Sequence, residues 1–345
     1  MGLSGGVDSA TSAALLQQEG YAVTGVFIKI VVEGYPCTAG VDRLDAMRVA
    51  AHLKIPFIEV DLSKEYQERV FAASIAEFKE GRTPNPDVLC NREIKFGLFY
   101  DWARAHGADL VATGHYAQLE PNEQGLPLLK TGADKEKDQS YFLWSVPQEV
   151  LAHTLFPIGH LRKSDVRKLA GKFNLPNADR KDSQGLCFLG PISVSDMLSK
   201  ELHPMPGKVL DELGKVVGSH NGAALYTLGQ RQGFTLLHEG TNTPAHYVIA
   251  KDMGANTITV SPSKFPRNAT RTKIKLVETN WIGNTQDGPM YARYRYRQTL
   301  IPAELDENNT VVLYEPHYTP LGQSLVLYKQ DRCFGGGVIA ESTVY

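Results

Sequence analysis

Residues 3–18 read LSGGVDSATSAALLQQ: two glycines, two serines and an aspartate run straight into an alanine- and leucine-rich stretch of helical spacing. Glycines let a backbone turn successive N–H groups inward and form a concave anion site. The helix that follows adds the positive end of its dipole and its unsatisfied N–H groups. Ser4 and Ser9 contribute hydroxyl donors, and Asp8 can hold a magnesium ion or order the loop. The loop carries no lysine, so it does not fit the G-x-x-x-x-G-K-[ST] phosphate loop. A plain capped helix would need only Asp8 and Ser9. The complete string at the head of an alternating chain favours the anion site.

The alternation runs through the first half. A helical pattern at Ala10–Glu19 precedes the β-branched run AVTGVFIKIVV; DRLDAMRVAAHLK leads into IPFIEVDL, read as a short buried strand. EYQERVFAASIAEFKEG and REIKFGLFYDWARAHG are helical, with Asn91 as a candidate cap of the second, and ADLVATGH reads as a strand ending in a turn. Such alternation predicts a parallel sheet covered on both faces, with ligands at the carboxyl ends of its strands. Ser4–Ser9, the turn after Val26–Ile30 and Thr113–Tyr116 fall at those ends. A loop of this kind should follow a buried strand, yet only Met1, Gly2 and Leu3 precede it. The expectation is that the sequence begins one strand late; the alternative is a sheet without its central member.

Beyond about Pro191 the texture changes to glycine-rich turns and short β-prone pieces. From about Phe265 short alternating runs such as TKIKLVETNWIG and QSLVLYKQDRCFGGGVIAEST predict an all-β barrel or sandwich. At 345 residues the chain has room for two or three domains. No apolar run approaches membrane-spanning length, and the N-terminus has no secretion signal pattern, which points to the cytoplasm. A formal net charge of −2 leaves any nucleic-acid partner to be held by local basic patches. The four cysteines form no C-x-x-C pair, so no structural zinc site is expected.

Two cysteine stretches carry candidate chemistry. In GRTPNPDVLCNREIKFG, residues 81–97, Asn85, Asp87 and Cys90 lie close together before a helix whose N-terminus would lower a thiol's pKa. Asp87 is an acid–base candidate or simply a turn-stabilising residue. In DRKDSQGLCFLG, residues 179–190, Cys187 sits between glycines that allow close approach of another molecule, or it is packed beside Phe188 and Leu189. Cys37 and Cys333 have no chemical partner in sequence. The stripe RYRYRQ alternates; as a strand it would put Arg293, Arg295 and Arg297 on one face, toward phosphates, and Tyr294 and Tyr296 on the other.

The opening string resembles the S-G-G-x-D-S loop of the ATP-pyrophosphatase group, which implies cleavage of ATP between its α and β phosphates. SGGVDS, GRTPNPDVLCNREIKFG, ATGHYA, KDQSYFLW, LFPIG, KDSQGLCFLG, YTLGQRQG, RYRQT and GQS occur in that order. This succession closely resembles the bacterial tRNA-uridine 2-sulfurtransferases (tRNA-specific 2-thiouridylases) over nearly the whole chain. The resemblance implies an α/β parallel-sheet ATP-pyrophosphatase domain over 1–190, a small central mostly-β domain over 191–264 and a C-terminal β-barrel tRNA-binding domain over 265–345. It implies ATP and Mg²⁺ as cofactors. Its partners would be tRNA, entered at uridine 34 of the anticodon, and a sulfur-donor or relay protein or cysteine desulfurase.

The same resemblance assigns ATP to Gly2, Leu3, Ser4, Gly5, Gly6, Val7, Asp8, Ser9, Ile28 and Gly114. Asn85, Pro86 and Asp87 would meet the target base. Cys187 would carry a persulfide with Cys90 as its partner thiol, and Asp87 would complete the catalytic set. His115, Lys137, Asp138, Gln139, Arg295, Tyr296 and Gln323 match tRNA-contact positions. The chain departs from the family where Ile28 replaces a methionine followed by Lys29 and an Asn-Trp pair, the sequence here running FIKIVVEGYPC. Another ATP-pyrophosphatase, an amide-forming ligase or synthetase, would need no paired cysteines, and a tRNA-binding module without turnover would need no working loop.

Overall fold

The computed structural model describes residues 1–36, 38–182, 185–190, 192–237, 244–283 and 289–345. Cys37, Ser183 and Gln184 lie outside these described residues.

Residues 1–3 occupy the central place in the sheet. Gly2 N–H donates to the Ala112 carbonyl (2.9 Å), Leu3 N–H to Val26 (2.8 Å) and Val26 N–H to Met1 (2.8 Å). Gly2 bridges Val26 in parallel. Residues 1–3 therefore lie between β1 (Gly25–Lys29) and β3 (Val111–Ala112). They join the parallel pair of β1 with β2 (Phe57–Asp61) to the parallel pair of β3 with β6 (Thr154–Leu155). The phosphate-loop candidate leaves from the end of this segment. β2 is not the buried strand expected from IPFIEVDL. It is the edge of the sheet, with Ile58 40% exposed, while Phe57 and Val60 are partly buried against the two helical layers.

Helices cover both faces, as the period-2 alternation of β1 requires. Phe27 packs with Leu3, with Val7, Ala10 and Ala13 of α1 (Val7–Gln18), with Ala46, Val49 and Ala50 of α2 (Ala39–Leu53), and with Ala170 of α5 (Lys163–Lys172). Val26 and Ile28 face the other way, onto Tyr66 and Val70 of α3 (63–79), Ile94 and Phe99 of α4 (86–105), and Met197 of α6 (Val194–Leu202). α3 and α4 each contain a π-helical stretch, Gln67–Ala72 and Cys90–Leu98. α4 starts five residues before the expected cap. Pro86 occupies its first turn, where the missing N–H costs nothing, and the Asn85 side chain accepts from Val88 N–H (3.3 Å). Asn91 is instead inside the helix, buried, donating to the Phe142 carbonyl (3.0 Å).

The central unit is a five-stranded sheet in the order β10-β11-β7-β8-β9, built from β7 (Gly207–Leu210), β8 (Val216–His220), β9 (Phe234–Leu236), β10 (Tyr247–Asp252) and β11 (Thr257–Ser261). Val209, Val248, Ile258 and Val260 form its core. The C-terminal strands are β12 (Thr272–Trp281), β13 (Met290–Arg293), β14 (Ile301–Leu305), β15 (Thr310–Leu313), β16 (Ser324–Lys329) and β17 (Arg332–Val344). They run β12-β15-β14-β13-β16-β17, and β17 pairs back onto β12, closing the expected barrel around Ile274, Ala292, Leu313, Leu325 and Phe334. A hairpin of β4 (Ala117–Pro121) and β5 (Pro127–Thr131), from the α/β part of the chain, extends this sheet through Leu129 opposite Cys333. Cys333 is fully buried there, and burial pushes its thiol up to about 12, an inert packing residue. Among the described residues no helix is long and apolar enough to cross a membrane.

Candidate active site

The glycine turn at the head of α1 is held from inside and outside. Ser9 Oγ accepts from Ser4 N–H (3.2 Å) and donates to the Gly6 carbonyl (3.1 Å). Gly5 has φ +77, and its carbonyl accepts from Asn177 Nδ2 (2.7 Å) and Arg180 (3.1 Å). Gly114 lies against the start of α1 so closely that a Cβ there would stand 2.8 Å from Ser9 N. Ile28 contributes a buried side chain to the core of β1, which leaves its main chain for any contact at the strand end.

The positive charge that the loop lacks arrives from elsewhere. Lys163, at the start of α5, binds both oxygens of Asp8 (2.8 and 2.9 Å), and Tyr116 donates to Asp8 as well (2.8 Å). Lys163, Lys137 and Arg167 converge on Asp182 at 2.8, 2.8 and 2.6 Å. Sequence reading missed Lys163 and Arg167, because 155 positions separate Lys163 from Asp8 and only the fold unites them.

The two motif cysteines meet. Cys90 Sγ and Cys187 Sγ are 3.2 Å apart although 97 positions separate them, in contact but beyond the roughly 2.05 Å of a disulfide bond. Cys90 is fully buried in α4. Cys187 is half-buried in a tight loop whose ends, Leu186 and Gly190, form a bridge. Phe188 sits at φ +64, a strained value for a bulky residue, with its ring edge-on to Tyr66 (centroids 5.9 Å apart). Tyr66 donates to the Cys187 carbonyl (2.8 Å), and Asp87 accepts from Cys187 N–H (3.3 Å). The thiols are not equivalent. The hydrogen bond from Cys90, and then the nearby Lys95 ammonium, lower the Cys187 thiol against the opposing effect of burial. Burial and the Cys187 sulfur raise Cys90 well above the ordinary thiol range. Burial also raises Asp87, against Lys95 and the Cys187 N–H.

Beside this pair the barrel docks onto the loop ahead of α4. Thr83 N–H donates to the Leu321 carbonyl (2.7 Å). Gln323 Oε1 accepts from Asn85 Nδ2 (3.2 Å), Tyr141 OH (3.3 Å) and Ser324 N–H (2.9 Å). Asn85, Pro86, Asp87, Cys90, Cys187 and Gln323 are thus gathered from three separate parts of the sequence.

The other expected RNA contacts are placed differently. Asp138 is buried and paired with Arg293 at 2.7 Å, while its other oxygen caps the N–H groups of Gly132 and Ser140 (3.0 Å each). Gln139 accepts from Tyr116 N–H (2.9 Å) and Lys137 is held by Asp182. The RYRYRQ stripe is a strand only as far as Arg293, which points inward. The chain then turns, Arg297 reaches φ +60, and no three-arginine face forms. Arg295 donates to the Leu228 carbonyl of the central unit, and Tyr296 packs on Phe142 (4.7 Å). The interior demand of Asp138 for a cation overrides the surface pattern of the strand.

His115 is also turned inward, hydrogen-bonded to Thr113 Oγ1 (2.7 Å) and packed between Phe96 and Phe156. Burial, then the Lys95 charge, hold its imidazole well below the ordinary value. The unfolded chain binds this proton first, so the stabilisation is present above about pH 6.5 and is lost as pH falls below it, by up to about 1.4 kcal/mol per pH unit. His220 and His317 are lowered by burial with the same sign. Denaturant unfolding at pH 7.5 and 5.5 should show a loss on acidification that His115→Gln reduces by one proton's share. An unchanged slope in the variant would remove His115 from the account.

Three family models match successive parts of the chain. Residues 1–191 match the family described as tRNA methyl transferase HUP domain, 195–262 its PRC-barrel domain and 271–339 the aminomethyltransferase beta-barrel domain. The tRNA-specific 2-thiouridylase MnmA of Nitrosomonas eutropha is 43% identical over 99% of this chain and 98% of its own length. That of Enterococcus faecalis is 42% identical over 98% and 94%. Among solved structures, the NH3-dependent NAD synthetase of Campylobacter jejuni aligns with 51% of this chain and 63% of its own, at 21% identity and a TM-score of 0.30. A 4-thiouridine synthetase–RNA complex with bound ATP aligns with 56% and 45%, at 15% identity and a TM-score of 0.32. Full-length identity above two-fifths with curated relatives of one name decides the matter: this chain belongs to the tRNA-specific 2-thiouridylase family.

Proposed function

We propose that the protein replaces the C2 oxygen of uridine 34 in tRNA with sulfur, using ATP and releasing AMP and pyrophosphate. The observation that carries this reading is the pair of sulfurs 3.2 Å apart, beside Asp87 and the Asn85–Gln323 contact. The C2 carbonyl is a poor electrophile and its oxygen a poor leaving group. Attack of that oxygen on the α-phosphorus, with loss of pyrophosphate, converts it into part of AMP. The glycine turn of Gly2–Ser9 would hold the phosphates with its N–H groups and the start of α1. Lys163 and Lys137 would exchange their carboxylate partners for phosphate oxygens. Asp8 is the loop residue fit to hold a magnesium ion: its carboxylate stands at the helix start, and no group of three metal-binding side chains is gathered among the described residues, so phosphate oxygens would complete the shell. Such an ion would neutralise charge on the departing pyrophosphate.

Sulfur would arrive on Cys187 as a persulfide from a donor protein. Its terminal sulfur attacks C2 and expels AMP, and Cys90 then takes the remaining sulfur of Cys187 into a disulfide as the thiouridine separates. Alternatively Cys90 attacks Cys187 first and liberates hydrosulfide, which attacks C2. Both routes end at a Cys90–Cys187 disulfide that a reductant reopens. Asn85 and Gln323 would meet the extruded base, and Asp87 would act as acid or base at its ring. Relatives named for thiolation, rather than the methyl transferase wording of the domain descriptions, fit a site built around two thiols.

The test is nucleoside mass spectrometry of tRNA incubated with the protein, ATP, Mg²⁺, a cysteine desulfurase with cysteine as the persulfide source, and a thiol reductant to reopen the disulfide. The expected outcome is 2-thiouridine at position 34 with matching AMP. AMP without thiouridine would instead favour a ligase of the same loop group, and absence of tRNA-dependent turnover a binding module.

A further inference from the structure

The cysteine pair has a cation of its own. Lys95 lies five residues after Cys90 within the π-helical stretch Cys90–Leu98. In an α-helix a residue five positions on is rotated about 140° away around the axis. The i→i+5 hydrogen bonding of a π-helix brings residues five apart toward one face. The local widening of α4 therefore turns Lys95 toward the sulfurs. Its ammonium lies 5.9 Å from the Phe188 ring centroid, beside the residue that follows Cys187. Among the described residues Lys95 forms no ion pair with a carboxylate. Arg92, on the same helix, has Glu93 and Glu278 instead (2.8 and 2.9 Å).

We propose that Lys95 is the fixed counter-cation of the cysteine pair, holding the sulfur of Cys187 as its anion while Cys90 stays protonated. The groups facing it are Asp87 and Cys90 on its own helix, Cys187 on the tight loop and His115 after β3, while Tyr66 of α3 faces the two sulfurs and Asp87. Tyr66 is a neutral phenol, and His115 is kept neutral by burial and by Lys95 itself. Burial opposes the charge on Lys95, but Cys187, Cys90 and Asp87 together outweigh it and raise the ammonium. The cation remains beside the loop when Cys187 carries extra sulfur, so the same contact serves a persulfide anion. Lys95 is a positioning residue for charge: it acts through Cys187.

This inference rests on the proposed roles of the two thiols, but its test needs neither tRNA nor ATP, so either reading can fail alone. Full-length protein is alkylated with iodoacetamide across pH 5–10, and modification is followed at the Cys187 peptide by mass spectrometry. In the unaltered protein the half-point for Cys187 is expected below the ordinary thiol value of about 8.5, with Cys90 reacting far more slowly. In a Cys90→Ser background, Lys95→Met should move the Cys187 half-point up by at least one pH unit, roughly a tenfold loss of thiolate well below it. Lys95→Arg should recover most of the shift. An unmoved half-point in a folded Lys95→Met protein overturns the proposal. Should that variant not fold, a Cys187 half-point at or above the ordinary value in the unaltered protein overturns it as well.

Discussion

Cys187→Ser should reduce 2-thiouridine formation to background, a loss on the order of a thousandfold or more, while tRNA affinity stays within about twofold. The side chain is half-buried, and its oxygen replacement fits the same space, so binding surfaces and core are left in place. The chemistry is not replaceable. A serine hydroxyl cannot carry a persulfide or close a disulfide with Cys90 across the present 3.2 Å gap. Cys90→Ser should fall as far under multiple-turnover conditions. Added sulfide separates the two sulfur routes. If Cys90 liberates hydrosulfide, excess sulfide restores part of the product in both variants. If the Cys187 persulfide attacks C2 itself, it restores none. The measurement is 2-thiouridine per tRNA by mass spectrometry, with tRNA retention on the same preparations. Undiminished thiolation by Cys187→Ser would withdraw this residue from the reaction.

Much of the layout could be read from patterns that are local. The helix–strand alternation, the glycine turn before α1 and the short alternating runs of the barrel each depend on neighbours a few residues apart, and all are found. Family motifs brought Cys90 and Cys187 under suspicion, but only the fold could place them in contact. What stayed hidden depends on partners distant in sequence. Met1–Leu3 were too few to read as a strand, yet they gain their ladder from Val26 and Ala112. IPFIEVDL looked buried because composition cannot tell a central strand from an edge. Asn91 lost the role of cap to Asn85 because Pro86 starts the helix earlier. Lys163 and Lys95 carry no sequence signal, since a lysine shows its use only when the anion beside it is known.

Arg293→Met should destabilise the protein by about 3–5 kcal/mol, the cost of leaving a buried carboxylate without its cation. Arg293 and Asp138 are 2.7 Å apart with side chains only 10% and 4% exposed. Asp138 also holds the Gly132 N–H at the end of β5, and the cation that pairs with it enters from β13 of the barrel. Arg293 also donates to Tyr328 OH (2.7 Å) and lies over that ring at 4.5 Å, so methionine can retain part of the packing but none of the donors. Asp138→Asn removes the charge while its carbonyl oxygen can still cap Gly132 and Ser140. The double variant Arg293→Met/Asp138→Asn should therefore recover a large share of the loss, giving a coupling energy of roughly 2 kcal/mol or more. Denaturant unfolding of the four proteins at pH 7 closes the cycle. Because the pair ties the loop at 138 to the barrel, Arg293→Met should also let the barrel unfold apart from the α/β unit, seen as a second transition. A loss under about 1 kcal/mol with a single transition would show that the pair is not what joins them.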